Sequence, residues 1–329
     1  MAKRTKALRA ISDGYHQAMT RLRRTSTADL VGRLKRLRRM DVAKLTDGAI
    51  ENRVGRIMDG FAHKPMLLKT NATFRARKNE GKASFGQASE LWYPPSSVAR
   101  LGRFNAHGEA VFYSASSMAS AIWEVVPTEG DIVTVLACGS RLEMADIICA
   151  QVGVHLYEGR PQPAEYPLAD LRADVAFQRD LKDDVIDQKW RLVDDLLSEW
   201  ATASADGFAD LYRVTRTFGD IFRRISMVEG ITYPSVATNL KAFNTVLSCE
   251  AADKHFFPAE AWEFEIVDWG AVEIVPSPLS SRLMPIRAIR RSKSIGPDGA
   301  IEWLDEMPDV MKEQASVMTR VSNARELLR

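Results

Sequence analysis

The apolar positions of this chain follow a strand-like pattern in some segments and a helical pattern in others. Residues 110–115 form a short apolar run with aromatic and β-branched members, which predicts a buried strand. Residues 116–126 then carry apolar side chains at helical spacing, and Ser116 and Ser117 offer N-caps. Together with the preceding segment 102–108, they predict a unit of loop, strand and helix.

Strands and helices are also predicted along the rest of the chain. Apolar runs predict strands at 131–137, 231–236 and 261–275. Helical spacing predicts two charged helices between about 160 and 228, and residues 296–329 are expected to form a turn followed by a C-terminal helix. This mixture indicates an α+β protein with a mixed β-sheet core and flanking helices.

Composition excludes several classes of protein. The 329 residues are 46% apolar and 27% charged, which is typical of globular domains. No apolar run reaches the roughly 18 residues of a membrane span, and the N-terminus lacks an apolar signal core. We therefore expect a cytoplasmic protein without a membrane partner. The three cysteines form no C-x-x-C and the five histidines are scattered, so no metal site is expected.

The N-terminal region is strongly basic. Residues 1–40 contain twelve Lys or Arg and two Asp, a balance of +10, whereas the whole chain carries +2 and the remainder −8. Leucines at helical spacing among these cations predict one or two basic amphipathic helices within an N-terminal extension, 1–65. They are Leu22, Leu30, Leu34 and Leu37. This face is a candidate for binding nucleic acid or an acidic partner, and the alternative is a solvated face over the acidic body of the same chain.

Three side chains of the loop, strand and helix unit carry the candidate chemistry. Arg103 offers a permanently charged guanidinium, Tyr113 an aromatic ring and Glu124 a carboxylate. These groups suit a substrate with phosphates, a flat cationic ring and a bond that breaks to leave positive charge. Each also has a structural interpretation: a surface arginine, a half-buried strand tyrosine and a solvated helix glutamate.

The motifs around these residues resemble the RES domain family. Gly102-Arg103-Phe104-Asn105 with Gly108, Tyr113 and Glu124 looks like the first half of that domain. The segment Gly230-Ile231-Thr232-Tyr233-Pro234-Ser235 resembles its second motif, and Asn244 sits where the family often has asparagine. Arg75, in Phe74-Arg75-Ala76-Arg77, takes the position of the first arginine. The resemblance covers roughly 70–290, and the segment 160–228 is then a helical insertion.

The resemblance implies a fold, an activity and a partner. RES proteins are typically toxins of bacterial toxin–antitoxin systems, with a fold similar to ADP-ribosyltransferases. They consume NAD as a substrate by hydrolysis, by phosphorolysis or by transfer of ADP-ribose to a protein. Their partner is commonly an antitoxin with a helix-turn-helix domain.

Roles for the site residues follow from NAD chemistry. Nicotinamide leaves through an oxocarbenium-like transition state, so Glu124 is the candidate that stabilises the departing ribosyl cation. Arg103 and Tyr113 are expected to hold the dinucleotide. Ser235 is expected to contact the ribose or position Glu124, with a turn serine as the alternative. Arg75, Tyr233 and Asn244 are further candidates for lining the cleft.

Two alternatives remain beside a nicotinamide-releasing toxin. One is an ADP-ribosyltransferase that modifies a protein target. The other is a nucleic-acid-associated or assembly protein in which residues 1–40 bind and the RES-like body is a degenerate scaffold.

Overall fold

A computed structural model describes most of the chain. It covers residues 20–58, 65–81, 83–143, 145–153, 184–203, 209–224, 228–238, 242–267 and 286–304. Ten strands form one sheet in the order β1-β5-β6-β7-β3-β2-β4-β8-β9-β10. The strands are β1 (Pro65–Thr70), β2 (Ala72–Lys78), β3 (Val111–Ala115), β4 (Ile132–Ser140), β5 (Ala145–Gln151), β6 (Gly230–Pro234), β7 (Phe243–Ser248), β8 (Phe256–Ile266), β9 (Ile286–Ile295) and β10 (Ile301–Trp303).

The sheet is mixed but mostly antiparallel. Strands β5 and β6 pair in parallel, while the other neighbours pair antiparallel. The α-helices are α1 (Thr27–Arg38), α2 (Asp47–Met58), α3 (Met118–Glu124), α4 (Asp184–Thr202), α5 (Ala209–Arg223) and α6 (Cys249–His255). The predicted α+β class with a mixed sheet is confirmed.

Two apolar cores hold the helices to the sheet. The smaller core joins Ala121 and Ile122 of α3 to Val133, Val135 and Phe264 of the neighbouring strands. The larger core contains apolar side chains of α1, α2, α4 and α5 together with strands β5, β6 and β7. Helix α3 and the four-helix group therefore belong to separate cores.

The basic N-terminal helices pack against the inserted helices. Leu30, Leu34 and Leu37 of α1 are buried, so the leucine spacing marks an inward face as predicted. Arg38 of α1 donates to Glu199 of α4 at 2.8 Å. Part of the basic region thus lies on an acidic side chain of the same chain, which is the structural alternative stated above.

Ion pairs also connect α2 with α5. Asp47 accepts from Arg213 at 2.7 Å and from Arg216 at 2.9 Å, and Glu51 accepts from Arg224 at 2.5 Å. Exposed pairs of this kind contribute little singly. Together with the buried apolar side chains, they join α1, α2, α4 and α5 into one group, which we call the helical layer.

A strand follows the predicted turn, and the predicted C-terminal helix stays a prediction. Residues 297–298 form the expected turn, but Ile301–Trp303 form β10 and pair with β9. Ile301 and Trp303 pack as apolar side chains on the core, and this tertiary contact favours an extended edge strand there. Residues 305–329 lie outside the described residues, as do 1–19, 154–183 and 268–275. The domain boundaries at 65, 70, 290 and 296 stay predictions.

Across the described ranges, no helix combines the length and the apolar composition that a bilayer crossing requires.

A partly buried ion-pair cluster around Glu229 is expected to make stability depend on pH. Glu229 accepts hydrogen bonds from His255 at 3.1 Å, from the Ile148 amide at 3.2 Å and from Lys254. Burial raises the pKa of Glu229, but these hydrogen bonds outweigh burial and lower the pKa from 4.5 to about 2. The carboxylate therefore stabilises the fold above pH 4.5, and this contribution is lost as the pH falls towards 2.

Urea unfolding at several pH values measures this contribution. We expect Glu229→Gln to lose about 3 kcal/mol near neutral pH, and the difference from wild type to shrink as the pH is lowered through 4.5. The exposed Glu250→Gln on α6 is the matched control and should behave as wild type. A Glu229→Gln penalty that does not change with pH would contradict this account.

Candidate active site

The ends of β3 and β6 and the start of β7 lie side by side within the sheet. Because β7 runs antiparallel to both β3 and β6, the start of β7 lies beside the ends of its two neighbours. Asn244 near the start of β7 pairs with Ala115 of β3 and with Tyr233 of β6. Ser235 directly follows β6. Helix α3 follows β3 and ends at Glu124, so the chain brings these polar side chains to one place.

The Glu124 carboxylate is held through one of its two oxygens. Its Oε1 accepts a hydrogen bond from Ser235 Oγ at 2.5 Å and another from Asn244 Nδ2 at 2.8 Å. Ser235 is fully buried and Asn244 is 4% exposed, whereas Glu124 is exposed. Oε2 accepts no hydrogen bond from the residues that the structure describes. The result is an exposed carboxylate that is held through one oxygen, while the other oxygen has no hydrogen-bond donor among the described residues.

Ser235 also serves the turn in which it lies. Its Oγ accepts from the Thr238 amide at 3.2 Å, and its own amide donates to the Ala242 carbonyl at 2.8 Å. Ser235 therefore makes the contacts of a turn serine and also a hydrogen bond to Glu124. The local backbone fixes the serine, and the serine fixes Glu124.

Helix α3 places Glu124 by starting and stopping within two turns. Ser117 caps its N-terminus by accepting from the Ser120 amide at 3.1 Å, as the sequence predicts. After Glu124, Val126 adopts φ of 46°, a left-handed conformation that a β-branched residue rarely takes. The helix therefore cannot continue, and Glu124 sits at its last position.

Loop residues 102–109, which we call the motif loop, are built around Asn105. Asn105 Nδ2 donates to the carbonyls of Arg100, Ala106 and Glu109 at 2.9–3.0 Å, and the side chain is 3% exposed. At Gly102, a Cβ would lie 2.9 Å from the Tyr113 hydroxyl oxygen. The glycine is thus required by close packing inside the loop.

Tyr113 ties this loop to strand β3. Its hydroxyl accepts from the Phe104 amide at 2.9 Å and donates to Asn105 Oδ1 at 3.0 Å. Burial raises the pKa of Tyr113 above its ordinary value, so the phenol stays protonated near neutral pH. The hydroxyl thus has a structural function in the loop that the sequence did not predict.

Arg103 is engaged by the helical insertion. Its Nη1 donates to the Trp200 carbonyl at 3.1 Å and its Nη2 to the Ala203 carbonyl at 3.0 Å. These acceptors lie at the C-terminal end of α4, where the helix dipole favours a cation. The guanidinium also lies 5.6 Å from the centre of the Tyr212 ring. Arg103 therefore joins the motif loop to the helical layer.

The remaining predicted residues lie around this arrangement. Arg75 on β2 donates to the Tyr113 carbonyl at 2.9 Å, and its buried Nε has no hydrogen-bond acceptor among the described residues. Burial lowers the pKa of Arg75 to about 10, which leaves it charged at neutral pH. Tyr233 is buried with its ring 4.8 Å from that of Phe104. Tyr233 thus packs in the core.

Within the described residues, no group of three or more His, Cys, Asp or Glu side chains is placed to hold a metal ion. The cysteines Cys138, Cys149 and Cys249 are free thiols.

Glu124, Ser235 and Asn244 come together, but sequence reasoning missed other residues. Arg223 and Gly219 of α5 contact the motif loop, and Glu109 accepts from the Ala106 amide at 2.7 Å. No local pattern distinguishes Arg223 from the other arginines of α5. Only its contact across 119 positions of sequence identifies it.

The chain matches the model of a known protein family. The model of the RES domain matches residues 73–266, which is more than half of the chain. The chain belongs to the RES domain family. The match spans β2 to β8 and includes Arg103, Tyr113, Glu124, Ser235 and Asn244. No curated protein matches the chain. At the level of the family, membership supports an NAD-related function associated with toxin–antitoxin systems.

Removal of the Tyr113 hydroxyl from this RES domain is expected to destabilise it. Tyr113→Phe leaves the Phe104 amide and Asn105 Oδ1 without their partner, which should cost about 1–3 kcal/mol in the free energy of unfolding. Urea unfolding measures the loss. Tyr212→Phe is the control, because it keeps the ring beside Arg103 and removes a hydroxyl that makes no described hydrogen bond. Equal stability of the two variants would contradict the structural function of Tyr113.

Proposed function

We propose that this chain is a toxin that consumes NAD by cleaving the bond between nicotinamide and ribose. The observation that carries the proposal is the exposed Glu124 carboxylate, which Ser235 and Asn244 hold through Oε1. Its place within the region matched by the RES domain supports NAD as the substrate.

The proposed reaction uses charge that appears only as the bond breaks. The carbon–nitrogen bond breaks, and its electron pair stays with nicotinamide, which leaves as an uncharged molecule. Positive charge develops on the ribosyl group. A fixed negative oxygen beside that group stabilises the transition state more than the ground state. Ser235 and Asn244 remove the need for the carboxylate to reorient during the reaction.

The acceptor then forms a new carbon–oxygen bond. Water or phosphate attacks the ribosyl carbon, and the proton of an attacking water passes to Glu124 or to solvent. Hydrolysis and phosphorolysis therefore share one site and differ in the acceptor. Transfer to a protein target is the alternative, and the exposure of Glu124 favours it as a second candidate because a macromolecular acceptor needs access.

Binding of the dinucleotide is assigned to the cationic and aromatic residues. Arg75 is charged, partly buried and adjacent to Tyr113, so it is a candidate for the phosphates. Arg103 also remains a candidate, but its guanidinium must exchange the Trp200 and Ala203 carbonyls for phosphate oxygens. We further propose that the sheet is of the ADP-ribosyltransferase type. We also propose that an antitoxin with a helix-turn-helix domain binds this chain and that the chain acts in the cytoplasm.

Nicotinamide release from NAD tests the function directly. Purified protein is incubated with NAD in the presence and absence of phosphate, and free nicotinamide is measured. We expect release in at least one condition, with phosphate dependence indicating phosphorolysis. Transfer of labelled ADP-ribose to a macromolecule identifies the protein-modifying alternative. Absence of release and of transfer under every acceptor would overturn the proposal.

Nucleic-acid binding by residues 1–40 is a separate hypothesis. Lys35, Arg36 and Arg39 of the α1 region are exposed and make no described ion pair. If these cations contact phosphates, retention of DNA or RNA should fall steeply with salt and be lost when Lys35, Arg36 and Arg39 are replaced by Gln, which keeps the buried leucines of α1. Retention that is unchanged by these substitutions would reject this hypothesis.

A further inference from the structure

Helix α5 of the insertion contacts the motif loop at Phe104. Arg223 Nη1 donates to the Phe104 carbonyl at 2.5 Å, and its Nη2 pairs with Glu109 of the same loop at 3.1 Å. A second ion pair with Asp220, one turn earlier on α5, orients the guanidinium. One side chain therefore reaches two points of the motif loop.

The shape of α5 fits this contact. Gly219 lies four residues before Arg223, so both face the loop from one side of the helix. A Cβ at Gly219 would lie 3.3 Å from the Phe104 carbonyl oxygen and 3.4 Å from its ring. The Phe104 ring packs edge-on against Phe218 with 5.3 Å between centroids. The absence of a side chain at 219 is what allows the close approach.

The peptide groups of Phe104 are thereby fixed from two directions. Its amide donates to the Tyr113 hydroxyl from the sheet, and its carbonyl accepts from Arg223 of the insertion. Phe104 lies directly after Arg103, whose own guanidinium is held by the end of α4. The orientation of Arg103 therefore depends on both inserted helices.

We propose that Arg223 is a positioning residue for the active site and that the insertion is part of the NAD-binding apparatus. Arg223 acts through Phe104 and Glu109 to fix the motif loop. Loss of Arg223 should then weaken substrate binding and leave the hydrogen bonds from Ser235 and Asn244 to Glu124 in place, because neither bond involves Arg223 or its partners in the motif loop. The kinetic part of this inference rests on the proposed function, whereas the structural part does not.

Hydrogen exchange tests the structural part. We expect Arg223→Ala to increase amide exchange in residues 102–109 at least about tenfold, because the loop loses a charge-assisted anchor. Arg223→Lys should restore part of the protection. The control is Arg224→Ala, which removes a neighbouring arginine that is 66% exposed and pairs with Glu51 instead. Unchanged loop exchange in Arg223→Ala would overturn the proposal whether or not the protein consumes NAD.

Steady-state kinetics test the functional part. Arg223→Ala is expected to raise KM for NAD about tenfold with kcat changed less than about threefold, and Arg223→Lys to recover part of the loss. Gly219→Ala is a second way to disturb the motif loop, because the added methyl group presses on Phe104 while the charge of Arg223 is kept. An equal fall in kcat for all variants, or a wild-type KM in Arg223→Ala, would overturn the positioning role. A wild type without activity would instead reject the proposed function and leave the exchange result to decide the loop anchor.

Discussion

Glu124→Gln is expected to lower kcat for nicotinamide release about a thousandfold while the protein stays folded. Glutamine keeps an Oε1 that accepts from Ser235 and Asn244, so the hydrogen bonds and the packing are retained. What disappears is the negative charge beside the ribosyl cation. The variant therefore separates the chemical role of the carboxylate from its structural role.

The control for this change lies five residues further along the chain. Glu129 is exposed and makes no hydrogen bond or ion pair among the described residues, so Glu129→Gln makes the same chemical change outside the site. We expect wild-type kcat for it. Melting temperatures of both variants should match wild type. A Glu124→Gln enzyme with more than about a tenth of the wild-type kcat would show that charge at this position is not the source of catalysis.

The local elements of the site could be predicted from the sequence. The apolar run before Ser116 became β3, and the serine cap with helical spacing became α3, because burial and capping act over a few residues. Predicted limits of 110–115 and 116–126 compare with 111–115 and 118–124 in the structure. The left-handed Val126, which ends α3, had no signal in the apolar pattern.

Long-range contacts explain the parts that the sequence did not predict. The hypothesis that Ser235 positions Glu124 agrees with their contact, but it rested on family motifs and not on periodicity. Arg103 stays a candidate for the dinucleotide, but the sequence did not predict its hydrogen bonds to the Trp200 and Ala203 carbonyls, across 97 and 100 positions. Such partners are set by how the insertion packs on the sheet. Helical spacing predicts that α4 and α5 form, but it does not predict which loop they contact.

The inserted helices contact two other parts of the fold. They bind the N-terminal helices on one side through Arg213 and Asp47, and the motif loop on another through Arg223. The extension and the insertion are therefore best understood as one support for the loop that carries Arg103.

Removing both donors to Glu124 is expected to reduce kcat by about a hundredfold, the second-largest effect. Ser235→Ala and Asn244→Ala should each cost about tenfold, because each leaves Oε1 with a single donor. Since both act on the same oxygen, the double variant should lose no more than the product of the two single losses. We expect KM for NAD to change much less than kcat, because the negative charge of Glu124 is still present. Only the fixed orientation of its carboxylate is lost.

Ser114→Ala is the matched control for these variants. Ser114 is a buried serine on β3 that contacts the Thr245 carbonyl and does not contact Glu124. It tests the cost of removing a hydroxyl from the sheet, and we expect wild-type kcat. If Ser235→Ala and Asn244→Ala also keep the wild-type kcat while Glu124→Gln does not, the carboxylate acts without being held. Preorganisation by Ser235 and Asn244 would then not contribute to the rate, although the charge itself would remain catalytic.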